Sequence, residues 1–298
     1  MVRAAVSLRF ARPPSVLRFY PSAVFARRAP NVPEGQTVPR LEGEIETVVI
    51  SRRHLDRYRE VCGFPRGDLL PIAYPHVLAM PLHLALMTHP AFLVRLMGLV
   101  HVANEIEWHR PLSADGIYAI ACWVEGHRDT DRGQEFDLFT ELRESGAAVW
   151  AERCTLLARR RRGAAGAARA ARASLRVPRP PGGAAVSEQG FHAPRSIGRR
   201  YGTVSGDLNP IHGSDFSARR FGFERAVAHG MWSMARSLAC LEPELTRDPC
   251  RVQVDFKLPL FLPSEVRLEH WREEGRRSFV LRQGDGHRPH LAGSATLL

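Results

Sequence analysis

Apolar and polar positions along the chain follow two periods, and the switch between them happens twice. Ser51 precedes a short helical pattern that contains Leu55, Tyr58 and Val61. Residues 76–88 carry Leu78, Met80, Leu82, Leu84 and Met87 and predict a strongly apolar helix. Val100, Val102, Ile106 and Trp108 then share even parity, the two-residue period of a strand with one buried face. Further strand-like runs lie near 116–125, 134–142 and 147–158. The order then repeats. Residues 230–242 predict a second helix, with Met231, Met234, Ala235 and Leu238 on one face and Trp232, Ala239 and Leu241 on others. A helix apolar nearly all round must be wrapped by other structure. Runs near 251–258, 264–271, 277–283 and 290–297 follow, the first alternating Val252, Val254, Phe256 and Leu258. A buried helix followed by an antiparallel meander, twice over, predicts curved sheets wrapped around helices. Periodicity leaves the strand order open.

The two repeats are separated by a break in pattern. Residues 159–187 begin with four arginines, continue with Gly and Ala, and end in Pro178, Pro180, Pro181, Gly182 and Gly183. Like charges and Pro/Gly content disfavour a packed element there, although the Ala-rich middle would suit a short helix. The expected organisation is an N-terminal arm over 1–40, a domain over 41–158, a linker over 159–187 and a second domain over 188–298. The 298 residues are enough for one large or two medium domains.

Charge sharpens this division. The chain is net +11, but residues 1–40 contribute +6 and 158–200 contribute +10, leaving −5 for the rest. The basicity therefore lies in two polar stretches, and the folded parts are mildly acidic. A nucleic-acid interface would put basic residues on the fold itself and interleave aromatics with them, and neither stretch does so. Residues 1–30 are Arg-rich without acids, as in a transit peptide; a poorly ordered or peripheral amphipathic arm is the expectation adopted. No apolar run reaches the ~18 residues of a membrane span. Five cysteines, an odd number without a C-x-x-C pair, read as buried free thiols in a reducing cytoplasm.

Chemistry concentrates in residues 201–231. The segment reads Tyr201, Ser205-Gly206-Asp207-Leu208-Asn209-Pro210-Ile211-His212, then Phe221-Gly222-Phe223, then Ala228-His229-Gly230-Met231. On a helix Asp207 and His212 would diverge by about 140°. Gly206, Asn209 and Pro210 are turn formers, however, so the segment is a shaped loop able to bring a carboxylate and an imidazole to one point. That pairing suits general acid–base chemistry. Ser214 or Asp215 is positioned to cap a short helix running to Arg220. Gly230 starts the buried helix; its unpaired N–H and the helix dipole would polarise a carbonyl, and the missing Cβ permits close approach. His229 reads as structural.

The Tyr-x3-Ser-Gly-Asp-x-Asn-Pro-Ile-His run, followed by Gly-Phe and Ala-His-Gly-Met, resembles the hydratase motif of the MaoC-like (R)-specific enoyl-CoA hydratases, which have the hotdog fold. In element order the resemblance covers 188–298. Tyr74-Pro75-His76-Val77-Leu78-Ala79-Met80 resembles the non-catalytic half of double-hotdog members. Two departures stand out: Ser214 where many members have Asp, and Leu238 where some carry a hydroxyl residue near the catalytic histidine, which leaves Ser205 as a substitute support for His212. The resemblance implies an α+β double hotdog and reversible hydration of a trans-2-enoyl-CoA to the (R)-3-hydroxyacyl-CoA. Asp207 and His212 would handle the water and its protons, and Gly230 N–H would hold the thioester oxygen. Ser205 and Asn209 would order the loop. It implies no metal or redox cofactor, with CoA or phosphopantetheine as part of the substrate. The first half has no Ser-Gly-Asp-x-Asn-Pro-x-His segment, and its Asp68 and His76 are eight apart and lack that turn chemistry, so one active site per chain is expected. The first half would shape an acyl tunnel, although core packing is the reading adopted for the Met and Leu residues of its helix. Arg219, Arg220, Arg225 and Arg236 lie near the motif as candidates for the anionic carrier, with a solvated face as their plainer reading. A (3R)-hydroxyacyl-acyl-carrier-protein dehydratase performs the same reaction on another carrier. A silent acyl-thioester-binding module and a polyanion binder using the Arg-rich segments are the alternatives of other classes. Monomer and homodimer both remain open.

Overall fold

A computed structural model describes residues 5–160, 176–241, 245 and 248–298. The strand runs form β1 (Val6–Phe10), β2 (Leu41–Val49), β3 (Leu99–Trp108), β4 (Ile117–Val124), β5 (Arg128–Thr130), β6 (Gly133–Glu144), β7 (Ala147–Arg159), β8 (Val186–Ala193), β9 (Cys250–Phe256), β10 (Ser264–Glu273), β11 (Arg276–Gln283) and β12 (Pro289–Leu297). They join edge to edge in one sheet of order β1-β2-β4-β6-β7-β3-β9-β12-β11-β10-β8, with β5 on β6. First-half strands fill one end and second-half strands the other. The halves meet where β3 pairs antiparallel with β9, Ile106 opposite Val252 and Asn104 opposite Val254. The parity noted in the sequence is visible in β3, whose Val102, Asn104, Ile106 and Trp108 are buried. Its first turn of pattern is displaced by a register shift between His101 and Ala103.

The helices are α1 (Tyr20–Phe25), α2 (Arg52–Cys62), α3 (Tyr74–Thr88), α4 (Ile197–Ser205), α5 (Asp215–Arg219) and α6 (Gly230–Leu241). All of α3 except Leu78 is buried, and it lies against β2, β4 and β6. In α6, Met231, Trp232, Met234, Ala235, Leu238 and Leu241 are buried, facing in several directions as the sequence required. Each half is thus a sheet around an apolar helix, and the whole is the α+β double hotdog. The halves are also tied through α2: Trp232 Nε1 donates to the Val61 carbonyl at 2.9 Å, and His54 Nε2 meets the Val204 carbonyl at 2.8 Å.

Two expectations need correction. The segment 5–40 is not a peripheral arm. Val6, Leu8 and Phe10 pack against the core, and β1 adds parallel to β2 with Val6 opposite Leu41. Arg28 donates to the carbonyls of Met87 and Phe92 at 2.8 and 3.0 Å and also to that of Thr88, capping the last turn of α3. The charge that suggested a solvated tail instead satisfies carbonyls that a helix end leaves without partners. The segment 159–187 is also shorter as a connection than its composition implied, because β7 runs to Arg159 and β8 starts at Val186. The Ala-rich stretch read as a short helix lies outside the described residues. All five cysteines are free, with Cys62, Cys122, Cys154 and Cys250 buried. Among the described residues no helix is long and apolar enough to cross a membrane.

Candidate active site between the two halves

The loop that carries the motif is built from α4 outward. Gly206 ends α4 with φ +76°, a left-handed conformation in which glycine costs least, and its N–H bonds the Gly202 carbonyl at 2.9 Å. Side chains then set each successive turn. Ser205 Oγ accepts from Asp207 N–H at 3.1 Å, Asp207 Oδ1 accepts from Asn209 N–H at 3.1 Å, and Asn209 Oδ1 accepts from Ile211 N–H at 3.4 Å. Such side-chain-to-backbone bonds are what Ser, Asp and Asn supply to turns. They deliver the chain into a 3-10 turn over Pro210–His212. Ser214 caps α5 by accepting from Ser217 N–H at 3.2 Å. Asp215, the other candidate cap, instead pairs with Arg195 at 2.5 Å and accepts from Ala226 N–H at 2.9 Å.

This geometry brings Asp207 and His212 together, and it adds His229. One ligand-type atom from each of the three lies within 4.8 Å of the others. His212 Nδ1–H donates to the Val227 carbonyl at 2.6 Å, which leaves Nε2 as the nitrogen without a proton. The His229 ring stacks on His212 with centroids 3.6 Å apart. Its Nε2–H donates to the Asp207 carbonyl at 3.1 Å and stands 3.8 Å from Oδ2. The sequence reading had His229 as structural; its ring is in direct contact with the site. The support for His212 is the Val227 backbone, neither Ser205 nor a side chain at Leu238, which is wholly buried.

Three further residues hold the loop. A Cβ on Gly198 would stand 2.0 Å from the His212 carbonyl oxygen, and one on Gly202 would stand 2.9 Å from that of Asp207. Two glycines one turn apart on α4 therefore let the loop lie directly on the helix. Their spacing was visible in the sequence, but the partner was not. The third is Tyr20, whose hydroxyl donates to the Gly206 carbonyl and accepts from Leu208 N–H, both at 2.6 Å. It comes from the segment read as an arm, and no local signal marked it.

Gly230 opens α6 just after His229, whose carbonyl accepts from Ser233 N–H at 3.1 Å. The space its missing Cβ leaves is occupied by the Phe256 ring, 3.0 Å from where that atom would be, rather than reserved for a ligand as the sequence implied. The amide itself belongs to the first turn, whose N–H groups have no partner within the helix.

Asp207, His212, His229, Gly230, Ser205 and Asn209 all line one cavity of about 630 Å³ that both halves enclose. Met80, Leu84 and Met87 of α3 face into it, whereas Leu82 and Leu86 pack in the core. The helix thus divides its apolar residues between packing and cavity, where the sequence reading had assigned them to packing. Arg219, Arg220, Arg225 and Arg236 do not line it. Arg236 lies over Phe191 with its guanidinium carbon 4.5 Å from the ring centroid, and Arg225 lies over Phe261 at 5.6 Å. Among the described residues, Lys257, Arg132, Arg159 and Arg160 are the Lys and Arg side chains at the cavity.

Electrostatics assigns the protonation states. Burial pushes the Asp207 carboxyl up, but His229, His212 and the Asn209 amide outweigh it and hold it below its ordinary value. Burial pushes His212 down, with the Asp207 charge and the Val227 carbonyl opposing. Burial, followed by neighbouring His212, pushes His229 down to about 3. At neutral pH the trio is one carboxylate and two neutral imidazoles: groups able to hold a water and accept its proton. By geometry alone the same trio has the spacing of a metal-ligand set.

Comparison with known proteins bears on the fold and the family. The family model described as MaoC like domain matches residues 180–292. The chain is 30% identical over 265 residues to 3-hydroxyacyl-thioester dehydratase X of Mycobacterium tuberculosis, covering 89% of this chain and 92% of that protein. The crystal structure of HtdX from the same organism superimposes with a TM-score of 0.73 at 28% identity, over 86% of this chain and 100% of that one. Another M. tuberculosis protein, described as having a double hotdog fold, aligns with a TM-score of 0.52 at 15% identity, over 89% of this chain and 96% of that one.

Proposed function

The chain belongs to the MaoC-like dehydratase family, and from that premise we propose that Asp207 and His212 are its acid–base pair and the Gly230 amide its oxyanion donor. It is a hydro-lyase of acyl thioesters, adding water across the double bond next to the thioester or removing it. One observation carries the assignment of roles: the Asp207 carboxylate and the His212 and His229 rings converge within 4.8 Å on the wall of a cavity that the first turn of α6 also lines.

In the hydration direction, Asp207 and the bare Nε2 of His212 hold the water and take one of its protons as its oxygen bonds to C3. Electron density moves onto the thioester oxygen, where the Gly230 N–H and the N-terminal dipole of α6 stabilise it. The proton then returns to C2, and the (R)-3-hydroxyacyl thioester leaves with both groups restored. The proton transfers contribute about 10²–10⁴-fold, and one oxyanion donor about 10²–10³-fold. His229 keeps Asp207 in place through its bond to the Asp207 carbonyl and stacks behind His212. No metal or redox cofactor is required, CoA is the carrier, and the cytoplasm is the compartment.

The decisive experiment is hydration of crotonyl-CoA by Asp207→Asn, with the melting temperature measured alongside. Turnover is expected to fall by at least about 10²-fold at unchanged melting temperature; full activity would remove Asp207 from the mechanism. Parallel assays with crotonyl-CoA and crotonyl-acyl-carrier-protein decide the carrier. Prolonged treatment with a chelator is expected to leave turnover unchanged, and a loss restored by added zinc would make the trio a metal site instead.

A further inference from the structure

A second group of buried polar side chains lines the same cavity, in the half that lacks the loop motif. His76, in the first turn of α3, has its Nδ1 2.8 and 2.9 Å from the two carboxylate oxygens of Glu152. Asn104 Nδ2–H donates to Glu152 Oε1 at 2.7 Å, and the Glu152 side chain is 0% exposed. His101 stacks on His76 with centroids 6.2 Å apart and contacts Phe256 at 4.7 Å, the ring that covers Gly230. His83, two turns further along α3, lies 5.2 Å from His76 and bonds Thr140 Oγ1 at 2.8 Å. His76, His83 and His101 face the cavity.

Packing does not explain this cluster. Burying an imidazolium–carboxylate pair costs several kcal/mol per ion, and apolar residues of similar volume commonly do better. The neighbouring positions on α3 show that Leu and Met fit this wall. What the pair achieves is orientation. Glu152 takes the Nδ1–H, which fixes the ring, and the remaining Nε2 has no hydrogen-bond partner among the described residues while the ring lines a largely apolar space. Burial lowers the affinity of His76 for a proton, but the Glu152 charge and hydrogen bond more than offset this and raise it above the ordinary imidazole value. A fixed Nε2 on an apolar cavity wall, able to accept from a hydroxyl when neutral and to donate to a hydroxyl or oxo oxygen when protonated, is the kind of group that orients and selects a ligand.

We propose that His76, oriented by Glu152 and Asn104, binds a neutral oxygen, hydroxyl or oxo, on the acyl chain beyond its reacting carbons, so that the cavity selects oxygenated acyl thioesters over plain ones. The proposal rests on the reading of Asp207, His212 and Gly230 as the thioester end of the cavity. A carboxylate on the chain is disfavoured, because it would enter the field of both Glu152 and Asp207. Met80, Leu84 and Met87 contact the methylenes.

The test compares trans-2-enoyl-CoA substrates of one chain length, plain, hydroxylated on successive carbons beyond the double bond, or ending in a carboxylate. Wild-type kcat/KM is expected to favour one hydroxylated isomer by roughly tenfold or more, and His76→Leu to abolish that preference. Calorimetric binding of the corresponding saturated acyl-CoAs to Asp207→Asn protein gives the same ratio without turnover. Absence of turnover with every thioester would therefore overturn the hydro-lyase roles and leave the binding ratio to judge His76. A wild-type preference for the plain chain, a preference for the carboxylate, or a ratio unchanged by His76→Leu overturns the proposal. If His76→Leu does not fold, His76→Phe, closer in shape, carries the same comparison with the same outcomes.

Discussion

The Tyr20 hydroxyl bonds the Gly206 carbonyl and the Leu208 amide, each at 2.6 Å, so one phenol spans the peptide units on both sides of Asp207. Burial keeps it protonated well beyond physiological pH. Tyr20→Phe is expected to lower kcat roughly ten- to thirtyfold, since it removes two bonds worth about 1 kcal/mol each of loop order. Steady-state hydration should show this with little change in KM. At this scale the sequence was most readable where a residue acts on its own neighbourhood. Ser205, Asp207 and Asn209 set turns within two residues of themselves, and Pro210 and Gly206 restrict or free the backbone beside them. Tyr20 acts across 186 residues of chain, and His229 enters the site only because α6 starts where it does.

At the scale of elements, the site depends on how closely a loop can lie on a helix. Gly198 and Gly202 face the loop that runs from Asp207 to His212. A Cβ at 198 would overlap the His212 carbonyl at 2.0 Å, which neither the helix nor the 3-10 turn can relieve without moving. Gly198→Ala should therefore cost about 1–3 kcal/mol of stability and displace His212, with loss of turnover. Gly213 is the control. Its φ is −79°, and the nearest atoms to a Cβ there lie at 3.6 and 3.8 Å, ordinary contact. Gly213→Ala should be neutral or stabilising by up to about 1 kcal/mol. Denaturant midpoints and activity of the two variants, measured together, test whether close approach or glycine flexibility matters. The helical and strand periods of α3, α6, β3 and β9 were legible because each buries one or more faces of its own sequence. Strands β1, β2 and β8 were not read, since each is bounded by the polar stretches whose charge dominated the local pattern.

For the whole molecule, the buried histidines set the response to acid. Burial holds His83 and His229 to about 3 and His101 and His290 to about 4, all below the ordinary imidazole value of 6.5. Between those values and 6.5 the unfolded chain binds more protons than the folded one, so stability is complete above pH 6.5 and falls as the pH drops through that window. Glu152, held at about 2 by His76, His83 and Asn104 against the opposing effect of burial, adds a further loss below its ordinary 4.5. Melting temperature should therefore decline steadily from pH 6.5 to 4, each buried imidazole contributing at most about 1.4 kcal/mol per pH unit. A flat profile over that range would mean these rings are solvated. The single sheet also couples the halves: β3 and β9 share a ladder from Ala103 to Trp108, so one cooperative transition is expected in the same melts.

By itself the sequence determined the local chemistry: two apolar helices each followed by a meander, and a turn-rich loop that presents a carboxylate and an imidazole. These follow from periods of two and 3.6 and from the backbone preferences of Gly, Pro, Ser and Asn, all of which act over a few residues. Only the tertiary structure decided how those pieces face each other. It stacked His229 on His212, laid the loop on Gly198, brought Tyr20 across from the first segment, filled the space beside Gly230 with Phe256, and opened a cavity beside His76 and Glu152. Each of these is a contact between positions far apart in the chain, fixed by the way two hydrophobic cores close against one another, and no short-range pattern encodes that closure.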